Sequence, residues 1–565
     1  MKILGIGGTQ HDFSYCILQD GKIKVAIEEE RISREKHAMG YRSRQHLGLQ
    51  YCMDCVDFVA DYRDFDIIVG NDAMDENHYI DPYIINNMVK INHHMAHASS
   101  AYYMSAFSEA AILILDGGGS FFSGYYNETC SMGYAEKNEI NIFERLVGQV
   151  KEIESPRVFF NDKPYNVKFL SNAAAIPLFY MVMTEICGFR NLEEGKLMGL
   201  APYGKDTYLR ELQQCIYTDY GRRNKFHVRI DFLSIFQVIR EIARTDNRDH
   251  FSITKDLAYA TQVIFEDVVT KMLNYLYSKV QTKNLCYAGG AALNSVMNGK
   301  IKKRTKFENI FVFPAAGDGG TSVGAALYGY HRILGCKKQK FILNNINWGK
   351  TYDERELDAI IKQYENSIVA TYLDEDNLYR EIAMKISEGN IIGWFQNGAE
   401  FGPRALGNRS ILADPRIKEN KDRVNAKVKF REEFRPFAPV ILEEKVNDYF
   451  ITDFPINPFM LFVGEVMDSK KDIIPAVTHI DGTARLQTVS LLTNRRLYSL
   501  VRAFEDITDV PVLLNTSFNI KGKPIVETPI QAIEAYLASD MDILVIHNAV
   551  IYKQKFLISG TKEGF

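Results

Sequence analysis

Residues 2–27 read KILGIGGTQHDFSYCILQDGKIKVAI and set the pattern of the amino-terminal fold. The apolar runs Lys2–Ile6, Phe13–Leu18 and Lys22–Ile27 predict three strands. Loop residues 7–12 separate the first two strands, and Asp20-Gly21 is a strong hairpin turn before the third. The chain is therefore expected to begin with a strand, a glycine loop and a β-hairpin.

Three later segments repeat the arrangement of an apolar strand followed by a glycine loop. They are Ala110–Leu115 before Asp116-Gly117-Gly118-Gly119, Leu285–Ala288 before Gly289-Gly290, and Ile310–Phe313 before Gly317-Asp318-Gly319-Gly320. One such loop alone is most simply a turn. Four of them, some with His or carboxylate side chains, favour a nucleotide held between two halves of an α/β domain. Their spacing matches neither the P-loop nor the Rossmann fingerprint.

The 565-residue length exceeds what a single hydrophobic core usually organises. The pattern loosens between Tyr330 and Tyr372, so we place a boundary near residue 345 and predict two domains, 1–345 and 346–565. The second half resumes with a helix at Leu378–Ser387 and a strand at Asn390–Phe395, and continues as mixed α/β.

A formal net charge of −4 gives no general attraction to nucleic acid or to an anionic membrane. No run of eighteen apolar residues predicts a transmembrane helix, and the glycine-broken start does not resemble a signal peptide. The eight cysteines are scattered, unlike a disulfide scaffold, and the C-x-x-C of Cys52 and Cys55 lacks the second pair of a zinc site. A cytoplasmic protein is expected.

His93 and His97 are four residues apart in a segment that predicts a helix, so both imidazoles lie on one face and could share a metal. An isolated pair of this kind is more often structural or on the surface. Asp116 and Asp318 each follow an apolar strand and could complete a mixed His/carboxylate set. Such a set suits iron, manganese, zinc or magnesium.

Residues 191–204, which include Glu194, Lys196 and Gly199, are dense in charge and turn formers for an apparently interior segment. The simpler interpretation is a surface loop. The alternative is a loop that approaches a ligand.

The C-terminal half concentrates cations between Pro, Gly and apolar residues. Lys427, Lys429 and Arg431 alternate with Val428 and Phe430, so a strand there would present three cations on one face. Further cations occur at Arg404, Arg409, Arg435 and Arg485. Arginine forks suit phosphate oxygens, which favours an anion pocket. The alternative, edge-strand charges that deter aggregation, explains Lys427 better than Arg485.

Taken in order, these motifs resemble the NodU/CmcH carbamoyltransferase family, which includes the TobZ-like O-carbamoyltransferases. The resemblance covers nearly the whole chain and is most specific at Phe-Gly-Pro-Arg-Ala-Leu-Gly-Asn-Arg-Ser, residues 401–410. It rests on these further segments: His11-Asp12, Asn92–His97, Asp116-Gly117, Glu194–Gly204, Gly289–Asn294, Gly317–Gly324, Val428–Pro439, Asp481–Thr488 and Val512–Asn519.

The resemblance implies an N-terminal actin-like ATPase (ASKHA) domain and a C-terminal YrdC-like α/β domain. It implies that His11, with Asp12 beside it, is the catalytic base. The implied metal ligands are His93, His97 and Asp318, with Asp116 as a nearby or additional ligand. The implied nucleotide-binding residues are Gly118, Gly119, Glu194, Lys196, Gly199, Gly289, Gly290, Asn294 and Gly317. The implied carbamoyl phosphate-binding residues are Arg404, Lys429, Arg435, Arg485, Asn515 and Ser517.

The expected activity is ATP-dependent O-carbamoyl transfer from carbamoyl phosphate, through a carbamoyl-adenylate, to a small-molecule alcohol in natural-product biosynthesis. The expected cofactors are ATP and a divalent metal, and the family suggests a homodimer. The alternatives are threonylcarbamoyl-type tRNA modification, hydrogenase maturation of the HypF type and a non-transferring actin-like ATPase. Two departures from the family pattern, a missing cation near Gly398–Phe401 and the bulky Phe121-Phe122, leave individual contacts open.

Overall fold

The computed structural model describes residues 1–38, 47–74, 82–124, 126–155, 165–171, 176–220, 225–429 and 431–554. Its strands are β1 Lys2–Gly7, β2 Ser14–Gln19, β3 Lys22–Glu28, β4 Ile67–Asn71, β5 Met88–Ile91, β6 Glu109–Leu115, β7 Phe121–Phe122, β8 Tyr126–Glu136, β9 Glu139–Ser155, β10 Tyr165–Ser171, β11 Ile216–Tyr220, β12 Phe226–Ile230, β13 Asn284–Ala288, β14 Asn309–Val312, β15 Ile368–Tyr372, β16 Ile392–Phe395, β17 Arg409–Ala413, β18 Ala438–Leu442, β19 Phe450–Ile451, β20 Val463–Val466, β21 Thr483–Arg485, β22 Gln487–Val489, β23 Val512–Ser517, β24 Ile543–Ile546 and β25 Ala549–Lys553.

Its α-helices are α1 Glu29–Ser33, α2 Leu47–Asp54, α3 Pro82–Asn87, α4 His93–Met104, α5 Ile176–Ile186, α6 Glu194–Leu200, α7 Leu209–Gln213, α8 Phe232–Thr245, α9 His250–Val280, α10 Ser295–Arg304, α11 Thr321–Tyr328, α12 Glu354–Lys362, α13 Glu375–Ser387, α14 Glu419–Arg423, α15 Val446–Tyr449, α16 Asp468–Lys471, α17 Arg495–Thr508 and α18 Pro529–Leu537. Within the described residues, no helix is both long enough and apolar enough to span a bilayer.

The predicted opening strands are confirmed as β1, β2 and β3, with Gly21 at φ +78° in the turn before β3. They belong to a sheet with strand order β3-β2-β1-β4-β5. β1 and β4 pair in parallel, with Ile3 opposite Ile67, and β4 pairs in parallel with β5. The buried faces of β1 explain its continuous apolar run.

A second sheet has the order β10-β9-β8-β6-β13-β14, with β7 paired to β8. Its parallel part is β6-β13-β14, where Leu285 lies opposite Ala111 and Ile310. The carboxyl ends of β6 and β13 therefore lie next to each other, which places the loops that begin at Asp116 and Gly289 at one edge. This edge is where the candidate site is built.

The C-terminal part contains an eight-stranded sheet of order β15-β25-β24-β16-β17-β23-β18-β22 and a three-stranded sheet, β19-β20-β21. The helix and strand predicted after residue 377 are confirmed as α13 and β16. Trp394 on β16 is fully buried, and Leu500 and Phe504 of α17 join the same core. The mixed α/β class is thus confirmed.

The chain divides into two compact units. The first comprises Met1–Gln10, Cys16–Lys22 and Asp61–Leu343. The second comprises His11–Tyr15, Ile23–Ala60 and Asn344–Phe565. Two N-terminal segments therefore belong with the C-terminal unit, which no sequence pattern indicated.

The strand predicted around residues 427–431 is wrong: Val424–Lys429 forms a π-helical turn, and Phe430 lies outside the described residues. Val424 and Val428 are both fully buried, so the apolar spacing in this segment is helical. The surface-loop interpretation of 191–204 is also wrong, because α6 begins at Glu194 and buries Leu197 and Leu200.

Candidate active site

Helix α4 brings two imidazoles to one face at the start of the helix. The side chain of Asn92 caps α4 by accepting a hydrogen bond of 2.9 Å from the backbone N–H of Met95. His93 and His97 follow within the first turns, and both are fully buried. Local helix geometry alone thus explains why these two side chains meet.

The carboxylates of Asp116 and Asp318 complete the cluster. Nε2 of His93 lies 3.2 Å from Oδ2 of Asp116 and 3.1 Å from Nε2 of His97. Nε2 of His97 lies 3.4 Å from the same Asp116 oxygen, and Oδ1 of Asp318 lies 3.6 Å from each imidazole. The ligand atoms of all four residues lie within 4.8 Å of one another.

These distances fit a divalent metal. Two ligand atoms about 2.1 Å from one ion, at the angles of tetrahedral or octahedral coordination, are about 3.0–3.4 Å apart. Burial acts to lower the pKa of His93, but hydrogen bonds to Asp116 and Asp318 raise it to about 10. Burial acts to raise the pKa of Asp116, and its imidazole partners outweigh this and lower it. Without a cation, protonated imidazoles would form hydrogen bonds with these carboxylates.

Further contacts orient the two carboxylates. The hydroxyl of Thr9 donates a hydrogen bond of 2.7 Å to Oδ2 of Asp318. The backbone N–H of Gly290 donates one of 2.9 Å to Oδ1 of Asp116. Such outer contacts fix the direction in which a ligand oxygen points.

The side chain of Asn127 holds the loop after β6 by forming two hydrogen bonds with its backbone. Gly119 donates its N–H to Oδ1 of Asn127 at 3.1 Å, and Nδ2 of Asn127 donates to the carbonyl of Gly119 at 2.8 Å. A Cβ at Gly118 would lie 2.6 Å from the same Asn127 oxygen. Gly289, at φ +92°, packs so closely that a Cβ would lie 2.3 Å from the carbonyl oxygen of Leu115. Gly119 packs against the rings of His93 and His94, and Gly290 against Asp116, so these two glycines border the His/Asp cluster.

Of the remaining predicted nucleotide residues, Asn294 and Gly317 follow β13 and β14, and Glu194, Lys196 and Gly199 lie in α6. Asn294 caps α10 and exchanges hydrogen bonds of 3.0 and 3.2 Å with Gln262, which also accepts one from the Tyr180 hydroxyl. Burial raises the pKa of Tyr180, and the charge of Glu194 raises it further, which places Glu194 near this network. Lys196 pairs with Glu193 at 2.7 Å, Gly199 is buried in α6, and Gly317 directly precedes Asp318.

In the second unit, the predicted anion-binding cations are grouped. Burial lowers the pKa of Arg485, and three neighbouring guanidinium groups lower it further: Arg404, Arg431 and Arg435. Burial also lowers the pKa of Lys429, with the charges of Arg431 and Arg435 adding to the effect. Mutual repulsion of this kind is relieved when an anion binds.

Hydrogen bonds distinguish the members of this group. The Lys429 ammonium donates to the carbonyl of Ser517 and, at 2.6 Å, to Oδ1 of Asn519. Nε of Arg485 and Oδ1 of Asn515 are buried without a partner among the described residues. Arg409, by contrast, donates to the carbonyls of Gln396 and Glu527 and ties backbone segments together. The unsatisfied buried Nε donor of Arg485 fits an anion-binding pocket.

The predicted base has a second imidazole near it. Nδ1 of His11 lies 3.0 Å from Oδ2 of Asp12, and Nδ1 of His37 lies 2.9 Å from Oδ1 of the same carboxylate. Sequence reasoning missed His37, together with Glu30, Thr9 and Asn519. The only signal was the charge-rich run that follows β3, and nothing in it identified His37.

Comparisons with known proteins agree with this architecture. A family model described as carbamoyltransferase N-terminus matches residues 85–327, and one described as carbamoyltransferase C-terminus matches residues 383–553. The chain is 33% identical over 580 residues to nodulation protein NolNO of Sinorhizobium fredii, with 96% of this chain and 79% of that protein covered. It is 35% identical over 473 residues to nodulation protein NolO of Bradyrhizobium diazoefficiens, with 82% and 79% covered.

The chain is also 32% identical to the uncharacterized protein sll1178 of Synechocystis, with 98% of this chain and 96% of that protein covered. Matches of this extent define a class of enzyme, the carbamoyltransferases. The chain belongs to the NodU/CmcH carbamoyltransferase family.

Proposed function

We propose that this carbamoyltransferase uses ATP to move the carbamoyl group of carbamoyl phosphate, through a carbamoyl-adenylate, onto a small-molecule hydroxyl, as a step of natural-product biosynthesis. The observation that carries the proposal is the group of partly buried cations around Arg485, whose charges repel one another and in which Nε of Arg485 has no hydrogen-bond partner among the described residues. One carboxylate, that of Glu432, contacts this group at 3.9 Å from Arg435.

A phosphorylated anion is the ligand that this pocket suits. Guanidinium groups bind phosphate oxygens in a bidentate manner, and charge-assisted hydrogen bonds of this kind are the strong ones. We assign Arg404, Arg435 and Arg485 to the phosphate of carbamoyl phosphate. Asn515 and Ser517, on β23, would face the carbamoyl end, and Lys429 would hold the Ser517–Asn519 turn in place. Addition of water then breaks carbamoyl phosphate into carbamate and phosphate.

The first unit would bind ATP. We assign the glycine loops at Gly118-Gly119 and Gly289-Gly290 to the phosphates, because backbone N–H groups at close approach commonly cradle them. Glu194, Lys196, Gly199, Asn294 and Gly317 would contribute to the same nucleotide site. His93, His97, Asp116 and Asp318 would hold a divalent metal, which would neutralise charge on the phosphates.

Two further steps transfer the carbamoyl group from the released carbamate to the acceptor. A carbamate oxygen attacks the α-phosphorus of ATP, and pyrophosphate leaves. The acceptor hydroxyl then attacks the carbamoyl carbon, the bond to AMP breaks, and His11 takes the hydroxyl proton. A base in this role contributes about 10²–10⁴-fold to the rate.

The experiment is a mass-spectrometric assay of purified protein with carbamoyl phosphate, ATP and a divalent metal, without an acceptor. The expected products are pyrophosphate with carbamoyl-adenylate or AMP, formed only when carbamoyl phosphate is present. ADP and phosphate formed regardless of carbamoyl phosphate would instead identify an actin-like ATPase and contradict the proposal. A tRNA-modifying enzyme would be recognised by tRNA binding, which the net acidic charge disfavours.

A further inference from the structure

Asp12 lies between two imidazoles, only one of which the proposed reaction uses. Its Oδ2 lies 3.0 Å from Nδ1 of His11, and its Oδ1 lies 2.9 Å from Nδ1 of His37. Each side chain of this trio is partly buried, at 27–29% exposure. A carboxylate can accept from two N–H donors at once, so the two hydrogen bonds are compatible.

The backbone holds His37 in place from two directions. The backbone N–H of Asp12 donates to the carbonyl of His37 at 2.7 Å, and the backbone N–H of His37 donates to Oε2 of Glu30 at 2.7 Å. Asp12 and His37 both adopt left-handed backbone, at φ +54° and +62°. Residues other than glycine keep this conformation where the surroundings over-determine it, which often happens at functional sites.

Charge also favours a fixed carboxylate. Burial acts to raise the pKa of Asp12, but the hydrogen bonds from His11 and His37 lower it to about 2. Burial acts to lower the pKa of His37, and the hydrogen bond to Asp12 raises it, with Glu30 raising and Lys36 lowering it to smaller extents. Asp12 is therefore ionised at neutral pH and accepts from both rings.

A cation shared by Asp12, Glu30 and His37 is the alternative, because their ligand atoms lie within 4.8 Å of one another. Both oxygens of Asp12 and one of Glu30 already accept hydrogen bonds, which accounts for the cluster without an ion. The contacts favour a role in orienting an imidazole over a role in holding a metal.

We propose that His37 is a positioning residue for the base His11. By donating its Nδ1–H to one oxygen of Asp12, His37 fixes the carboxylate so that the other oxygen receives Nδ1–H of His11. This arrangement selects the His11 tautomer whose Nε2 is unprotonated and can take the acceptor's proton. The inference rests on the proposed function, because it takes His11 to be the base.

The variants that test this role are His37→Ala and His37→Asn. Asn retains a side-chain N–H donor near the position of the imidazole Nδ1, and it tolerates left-handed backbone. His37→Ala removes the donor. Asp12→Asn is the second variant, because it keeps the shape of the carboxylate and replaces one acceptor oxygen with a donor. His227→Ala, at an exposed position of β12, is the matched control.

The decisive measurement is nuclear magnetic resonance of the full-length protein with isotope-labelled histidine, with the His11 ring nitrogens assigned by loss of their signals in His11→Gln. In the parent protein and in His37→Asn, His11 is expected to carry its proton on Nδ1. In His37→Ala and Asp12→Asn, a mixture of tautomers is expected. A His11 spectrum in His37→Ala equal to that of the parent would overturn the inference. So would an equal loss of the Nδ1-protonated His11 tautomer in His37→Ala and His37→Asn.

Pyrophosphate formation with carbamoyl phosphate and ATP separates this result from the proposed function. His37→Ala should form pyrophosphate in its first turnover within about twofold of the parent, while later AMP release, with water as acceptor, falls by about tenfold or more. A parent protein that makes no pyrophosphate would contradict the proposed function, and the tautomer measurement would still decide whether His37 orients His11. Equal loss of both half-reactions in a folded His37→Ala variant would contradict the positioning role.

Discussion

The backbone N–H of Gly290 donates a hydrogen bond of 2.9 Å to Oδ1 of Asp116, across 174 positions of sequence. The other oxygen of Asp116 lies 3.2 Å from Nε2 of His93. One carboxylate thus joins the glycine loop after β13 to the imidazole pair on α4. Because a ligand that moves this loop also moves an oxygen of the cluster, we expect nucleotide and metal binding to be coupled.

The cluster should lose metal when one of its charges is removed. Asp318→Asn keeps the shape of the side chain but removes a negative charge beside two buried imidazoles. We expect the affinity for Mn²⁺ or Zn²⁺ to fall by more than about tenfold. Metal content after equilibrium dialysis is the measurement, and Asp267→Asn, from an exposed ion pair with Lys271, is the control. Unchanged content in Asp318→Asn would show that Asp318 is not a ligand.

The cation group in the second unit should bind inorganic phosphate directly. Arg485→Met removes a donor that has no other partner among the described residues and retains much of the side-chain volume. Charge-assisted hydrogen bonds contribute about 1.5–3 kcal/mol, so phosphate affinity should fall by about 10–100-fold in calorimetry. Arg502→Met, from a surface ion pair, should bind phosphate as the parent does. Equal affinity in Arg485→Met would remove this residue from the anion site.

The turn after β13 should not tolerate a side chain. Gly289→Ala would place a Cβ 2.3 Å from the Leu115 carbonyl oxygen, on a backbone at φ +92°. We expect a loss of about 1–3 kcal/mol in the free energy of unfolding. Gly195→Ala is the comparison, because Gly195 lies in α6 with open space around it. This variant should gain about 0.5–1 kcal/mol in the free energy of unfolding. Denaturant titration of both variants measures the difference.

His547 should make stability fall as pH falls below its unfolded pKa. Burial, with the charges of Arg496 and Arg409 adding to it, lowers the pKa of His547 to about 4. Between pH 6.5 and 4 the unfolded chain therefore binds a proton that the folded chain does not. The free energy of unfolding consequently decreases as the pH falls through this range.

The variant that isolates this effect is His547→Asn, since Asn accommodates the φ of +49° at this position. Between pH 7 and pH 5, the free energy of unfolding of this variant should fall by about 1–2 kcal/mol less than that of the parent. Denaturant midpoints at the two pH values provide the measurement. Equal losses in both proteins would show that His547 titrates normally in the folded state.

Several elements could be read from local pattern alone. The strands that became β1, β6 and β13 are apolar on both faces, and this run of residues is visible without a structure. The imidazole pair on α4 follows from a spacing of four residues on one helix. Strand-end positions suggested the carboxylates Asp116 and Asp318, and clustered cations suggested an anion pocket. The family resemblance then implied the roles of these residues.

Two other elements were predicted wrongly from the sequence. Alternation around Lys429 predicted a strand, but over five residues a period of two cannot be distinguished from a helical turn that buries Val424 and Val428. The charge density of residues 191–204 suggested a surface loop, although the buried leucines of this segment lie on a helix face. In each case tertiary burial selected the backbone conformation.

Composition, strand runs and ordered motifs establish the α/β class and the family from sequence alone, because these properties depend on residues that are near one another in the chain. The meeting of Asp12 with His37, 25 residues away, and of Lys429 with Ser517, 88 residues away, depends on how the chain folds back. The allocation of residues 11–15 and 23–60 to the second unit depends on it as well. Such pairings arise when packing and hydrogen bonding bring distant segments together, so only the tertiary structure reveals them.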